Sequence, residues 1–197
     1  MSYSHQLTDD EKRELLRIAR TAVREWNYTH RLPPGKPHKE SLLMLGGAFV
    51  SLHRGSALRG CIGTIEAAKP IYKTVQEMAV AAATRDPRFG PVTDAEVEKL
   101  TFEVSVLSDF APIKGPDEIT IGTHGLVIDL GENRGLLLPQ EAPAQGWTAE
   151  EFLANVCRKA NLDDDAWQVS AATLQRFSAQ VFDEVAFPPI DPLSLLD

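Results

Sequence analysis

The chain predicts an α+β fold in which antiparallel hairpins are flanked by helices. Stretches of alternating apolar and polar residues come in pairs joined by short Gly-containing turns. Amphipathic helical segments stand singly between those pairs. No regular strand–helix–strand succession and no internal repeat runs along the 197 residues, which argues against a parallel sheet.

The elements follow in order. Thr8 to Glu11 has the form of a capping box, and Leu15, Ile18, Ala19, Ala22, Val23 and Trp26 form a helical apolar stripe, with Lys12, Arg13, Arg17 and Arg24 elsewhere. Leu32-Pro33-Pro34-Gly35-Lys36-Pro37 ends that helix as an extended connector. Gly47–Leu52, the turn His53–Ser56 and Leu58–Thr64 read as a β-hairpin. Pro70 opens a helix buried through Ile71, Val75, Met78, Ala79 and Ala82, and Pro87 forces Asp86 out of helical geometry into a fixed turn. Thr93 to Glu96 is a second capping box. Thr101–Leu107 is a strand with Phe102, Val104 and Val106 inward and Glu103 and Ser105 outward.

Asp109–Asp117 reads as a loop. Leu126–Leu130, the turn Gly131–Gly135 and Leu136–Leu138 form a second hairpin. A third capping box at Thr148–Glu151 starts a helix buried through Phe152, Leu153, Val156, Cys157 and Ala160, with Asn161 as its left-handed stop. Asp163-Asp164-Asp165 lacks the Gly and distant Glu of a calcium loop and reads as a solvated turn. Arg176–Asp183 is a last strand and Pro188–Asp197 a tail.

Composition narrows the function classes. At 43% hydrophobic and 24% charged residues, the chain has the profile of a globular protein with a real core. Met1–Asp10 shows no basic region followed by an apolar stretch, so a cytoplasmic location is expected, and no apolar run is long enough to span a bilayer. A net charge of −8 disfavours nucleic-acid binding, which draws on phosphate neutralisation. The richest basic stretch, with Arg31, Lys36 and Lys39, is broken by prolines. Two cysteines without paired spacing exclude a zinc ribbon, an iron–sulfur cluster and a disulfide framework; no cofactor is implied.

One strand carries the chemistry. Strict alternation puts Arg59 and Cys61 on one face, where a guanidinium beside the thiol favours the thiolate. Gly60 and Gly63, with Thr64 after them, leave room for a substrate to approach. His124, between Gly122 and Gly125, is the His whose setting suits a general base, and Asp86 and Arg88 could orient these groups from their turn. The same residues admit a structural reading: Cys61 as small core filler, Arg59 paired with a carboxylate, Asp86 with Arg88 as a helix-end ion pair, and His124 bonded to backbone.

Six segments in order resemble the AMMECR-one family. They are Leu58-Arg59-Gly60-Cys61-Ile62-Gly63, Gly47–Val50, Asp86–Phe89, Glu103–Leu107, Gly122–Leu126 and Leu136–Gln140, and the match runs from about Leu15 to Phe182. Lys159-Ala160-Asn161-Leu162 departs from an expected Lys-Ala-Gly-Leu, where Asn can take the left-handed conformation. The resemblance implies a single domain of two lobes over residues 1–187, with the Arg-Gly-Cys strand near the cleft between them. It supplies no settled reaction. It implies a small-molecule or peptide ligand and, through the AmmeMemoRadiSam association, radical-SAM and Memo-like protein partners. Two functions follow as expectations: thiol chemistry at Cys61, or a non-catalytic accessory module.

Overall fold

The computed structural model describes residues 6–34 and 37–188. Lys36 and all of the expected tail except Pro188 lie outside them. The chain divides into two compact units, one running to Leu107 and resuming at Gln180, the other spanning Ser108–Ala179. Each is antiparallel sheet covered by helix, as the α+β reading requires.

In the first unit, α1 (Asp9–Thr29) begins with the expected capping box: Thr8 and Glu11 satisfy each other's backbone N–H groups. His30, at φ 54°, closes the helix in the left-handed region. Leu15, Ala19, Ala22 and Val23 are fully buried. The hairpin is β1 (Ala48–Arg54) and β2 (Ala57–Thr64), followed by α2 (Ile71–Thr84), the single turn α3 (Asp94–Val97) and β3 (Thr101–Leu107). The sheet order is β2-β1-β3, all antiparallel. Val50, Leu52, Phe102, Val104 and Val106 form one sheet face and meet α1 and α2 in a single core. Burying each such side chain stabilises the fold by about 1.5–3 kcal/mol.

The opposite face of this sheet corrects one expectation. Ser105 is buried and Glu103 half-buried, so the residues read as outward do not point into open solvent. Sequence alternation reports which residues share a face, not what covers it.

The second unit contains β4 (Ala111–Pro112), β5 (His124–Leu130), β6 (Asn133–Leu137), α4 (Glu141–Gln145), α5 (Ala149–Lys159) and the first part of β7 (Thr173–Asp183). β5 lies between β6 and β7, and β4 pairs with β7. Leu126, Ile128, Phe152, Leu153, Val156 and Cys157 make its core, which confirms Cys157 as packing. Asn161 takes the left-handed conformation at φ 57°. The Asp163–Asp165 segment is a turn in which Asp164 pairs with Arg158. Several elements depart from the sequence reading: β4 lies in the expected Asp109–Asp117 loop, β6 starts at Asn133 inside the expected turn, and β7 starts at Thr173 before the expected Arg176. β5 starts at His124, before the expected Leu126, and α4 fills a stretch with no apolar periodicity to announce it.

A thiol on the half-buried face of the first sheet

The position of Cys61 is set by a β-bulge. The Gly55-Ser56 turn pairs Arg54 with Ala57 and His53 with Leu58, but Leu52 pairs with Gly60. Arg59 is therefore the extra residue, and everything after it shifts by one. An unbulged hairpin would set Cys61 opposite Val50, on the core face. With the bulge, Cys61 stands opposite Ser51 instead.

Cys61 is thus on the face shared by Phe49, Ser51, His53 and Glu103. The Ser51 hydroxyl donates to Cys61 Sγ at 3.2 Å. On its other side Ser51 is paired with Glu103, so Cys61, Ser51 and Glu103 form one row across three strands. Burial pushes the Glu103 carboxyl above the ordinary range; His53 opposes that effect and Asp183 adds to it. His53 Nε2 lies 4.0 Å from Glu103 Oε1 and is buried without a hydrogen-bond partner among the described residues. A carboxyl with raised proton affinity beside an unpartnered imidazole nitrogen can hold and pass a proton.

The expected partner of the thiol is elsewhere. Arg59 Nε and Nη2 reach the two carboxylate oxygens of Glu96 at 3.1 and 3.2 Å, and Nη1 and Nη2 donate to the carbonyls of Gly90 and Pro91. As the bulge residue it ties β2 to the segment around α3, and its role as thiol activator is replaced by this one. The fork of donors and the Thr93 N–H hold the Glu96 carboxyl down at about 2. Glu96→Gln should cost about 1–2 kcal/mol at pH 7, because the pair is mostly shielded from solvent. A folded-state value depressed in this way stabilises above the unfolded carboxylate range and loses that contribution as pH falls. The melting-temperature gap between wild type and Glu96→Gln should therefore close between about pH 4.5 and about pH 2.

Arg88, not Arg59, is the cation near Cys61. Asp86 is buried at 3% exposure, and its Oδ2 accepts the Cys61 N–H at 2.8 Å. The same carboxylate takes the Arg88 backbone N–H, Nε and Nη2 at 3.0, 3.0 and 2.7 Å. Arg88 Nη2 also reaches the Cys61 carbonyl at 3.4 Å. Asp86 and Arg88 therefore form the ion pair of the structural reading, and they clamp the outer edge of β2 at Cys61. Such a clamp satisfies polar groups that an edge strand would otherwise present.

The glycines are not open space. A Cβ on Gly60 would stand 2.2 Å from the Ala82 carbonyl oxygen of α2, and one on Gly63 would stand 2.2 Å from the Phe49 ring. The room reserved for substrate at these positions is taken by helix backbone and by an aromatic side chain. Thr64 ends β2, and its hydroxyl accepts the Glu66 N–H. His124 belongs to the second unit, where its Nδ1 accepts the Thr120 N–H at 2.9 Å. That bond occupies one lone pair and leaves Nε2 as the protonated nitrogen of the neutral ring, a donor rather than a base. Burial lowers its proton affinity, with Arg176 adding to the effect.

Among the described residues there is no group of three His, Cys, Asp or Glu side chains that could hold a metal ion, and no helix long and apolar enough to cross a membrane. Ser51, His53 and Glu103 are the members of the site that the sequence reading missed. The alternation of β3 already separated Glu103 from the core residues, but without the bulge nothing linked it to Cys61.

Comparison with known proteins places this arrangement in context. The AMMECR1 family model matches residues 16–182. A protein of Thermofilum pendens is 40% identical over 196 residues, covering 91% of this chain and 92% of its own length. One of Methanothermobacter thermautotrophicus is 42% identical over 187 residues, covering 90% and 96%. The crystal structure of an uncharacterised protein from Pyrococcus horikoshii superposes with a TM-score of 0.85 at 35% identity, covering 93% of this chain and 96% of that one.

Proposed function

We propose that this chain, which belongs to the AMMECR1 family, uses Cys61 as a nucleophilic thiol toward an electrophilic carbon of a small molecule or peptide. The observation that carries the reading is the Ser51 hydroxyl donating to Cys61 Sγ on a half-buried sheet face, with Glu103 next in the same row. A donor held beside the sulfur stabilises the negative charge that develops on it as it attacks. The step is an addition to a polarised double bond: the S–C bond forms, the π pair moves to the far atom of that bond, and the thiol proton ends on that atom, so that no group leaves. The Asp86–Arg88 clamp fixes the backbone that carries the sulfur.

A second reading is favoured by a specific set of contacts. Arg59, Asp86, Gly60 and Gly63 are all consumed in holding strand, helix and loop together. If Cys61 only completes that framework, the protein is a non-catalytic module whose partners are other proteins, with radical-SAM and Memo-like proteins the first to test.

Iodoacetamide labelling of the folded protein near neutral pH, with sites assigned by mass spectrometry, separates the two. Cys157 is fully buried and its proton affinity is raised by burial, so it serves as the protected internal control. The thiol reading expects rapid modification of Cys61, and a rate slowed by about tenfold in Ser51→Ala through loss of one hydrogen bond to the thiolate. Protection of Cys61 until denaturant exposes Cys157 as well would establish the framework reading instead.

A further inference from the structure

One side of α1 carries Arg17, Arg20, Thr21 and Arg24, spaced so that all four line one groove of about 430 Å³ that Glu98 and Glu184 also line. The ion pairs of that groove differ in how firmly they hold. Arg20 is spent on the fold: it grips both carboxylate oxygens of Glu184 and donates to the Val97 and Leu100 carbonyls. Arg24 pairs with both oxygens of Glu98, but both side chains are about half exposed, so that pair is worth little and exchanges readily. Arg17 is the cation held most loosely. Its ionic neighbour is Glu14 Oε1 at 3.8 Å, an oxygen that already accepts the His38 N–H at 2.6 Å. Each of the three guanidinium groups thus has a carboxylate, but the Arg17 pair, at 3.8 Å, is beyond hydrogen-bond distance and leaves the donors of Arg17 available.

Arg17 and Thr21 also border a second cavity of about 220 Å³, whose walls include Ile18, Pro33 and Tyr72. A cationic groove and a hollow walled partly by apolar side chains, with His38 and Gln76 among its polar ones, therefore meet at the same two residues. The geometry points to a binding site for a small organic anion, a phosphate or carboxylate carried on a flat apolar body. The anion takes the free donors of Arg17 and the Thr21 hydroxyl and draws Arg24 away from Glu98, while the apolar body lies against Tyr72. This site uses none of the groups assigned to the thiol chemistry and stands or falls separately from it.

The test is a titration of the whole chain at low ionic strength with phenyl phosphate, benzoate and inorganic phosphate, followed by the backbone amide resonance of Thr21. Saturable shifts with phenyl phosphate or benzoate are expected, and the stronger of the two identifies the anionic group. Arg17→Gln should weaken binding about tenfold, the loss of one charge-assisted contact. Arg54→Gln, an equal charge change on the exposed end of β1, should weaken it by less than about twofold, since screened charges at a distance matter little. Three results overturn the proposal: no saturable shift, equal weakening by both substitutions, or inorganic phosphate binding as well as phenyl phosphate. Arg17 is more than half exposed on a helix and Gln is a good helix former, so the variant should melt as wild type does.

Discussion

Gly60→Ala should destabilise the first unit by about 3 kcal/mol or more, at the upper end of the range for overpacking a tight core. The reason is the identity of the atom it would meet. The added methyl would sit 2.2 Å from the Ala82 carbonyl oxygen and 3.1 Å from its carbon, both backbone atoms inside α2. A side chain can rotate away from a clash; a helix backbone can only move with the whole helix, and α2 carries Ile71, Val75, Ala79 and Ala82 into the same core. At roughly 2–4 °C per kcal/mol for a chain of this size, the melting temperature should drop by about 6–12 °C. The substitution also decides what the glycine is for. If Gly60 existed to admit a substrate, Ala would leave stability intact and remove binding. Thermal melting and urea unfolding near wild-type values would refute the packing role.

The core was legible because its signals are local. Each capping box, the helical stripes of α1, α2 and α5 and the alternation of β3 can be read from a handful of neighbours, and each is present in the structure. Cys157 could be assigned to packing for the same reason, since it falls on a stripe. The site was only half legible. Cys61 was visible by residue type, but its neighbours depend on hairpin register, and one extra residue at Arg59 changes which residue of β1 it opposes. Strict alternation therefore assigned Arg59 to the thiol, while in the fold its guanidinium belongs to Glu96, thirty-seven positions away. Glu103 comes from β3, whose pairing with β1 no local pattern specifies, and Ser51 lies in the expected hairpin but meets Cys61 only through the bulge. Gly60 and Gly63 are ambiguous in sequence for a related reason: a glycine in a strand says that something comes close, and tertiary structure puts the Ala82 backbone and the Phe49 ring there.

Those two kinds of residue meet at Asp86, for which the strongest pH effect is expected. Its carboxylate is buried and accepts four hydrogen bonds, one from the Cys61 N–H and three from Arg88. The Arg88 guanidinium is the main cause that holds it well below the usual carboxylate range, with burial opposing and the Cys61 and Arg88 N–H groups adding. Asp86→Ala should cost about 3 kcal/mol, the low end for breaking a buried pair, because Arg88 is half exposed and can return to water. Asp86→Asn should do almost as badly, since its NH2 group would face a donor at one of the two oxygen positions. A folded-state value below the unfolded one contributes stability above the unfolded value, near ~3.9, and loses it as pH falls through the folded value. The melting gap between wild type and either variant should thus be flat from neutral pH to about pH 5 and should shrink only below about pH 4. Stability alone would not separate this clamp from any other buried ion pair. Hydrogen exchange does: the Cys61 amide, freed of its acceptor, should exchange much faster in both variants, while amides of β3 follow only the global loss. If the Cys61 amide stays as protected as those of β3, Asp86 does not hold the edge of β2, and the sulfur must be positioned by the Ser51 side of the sheet alone.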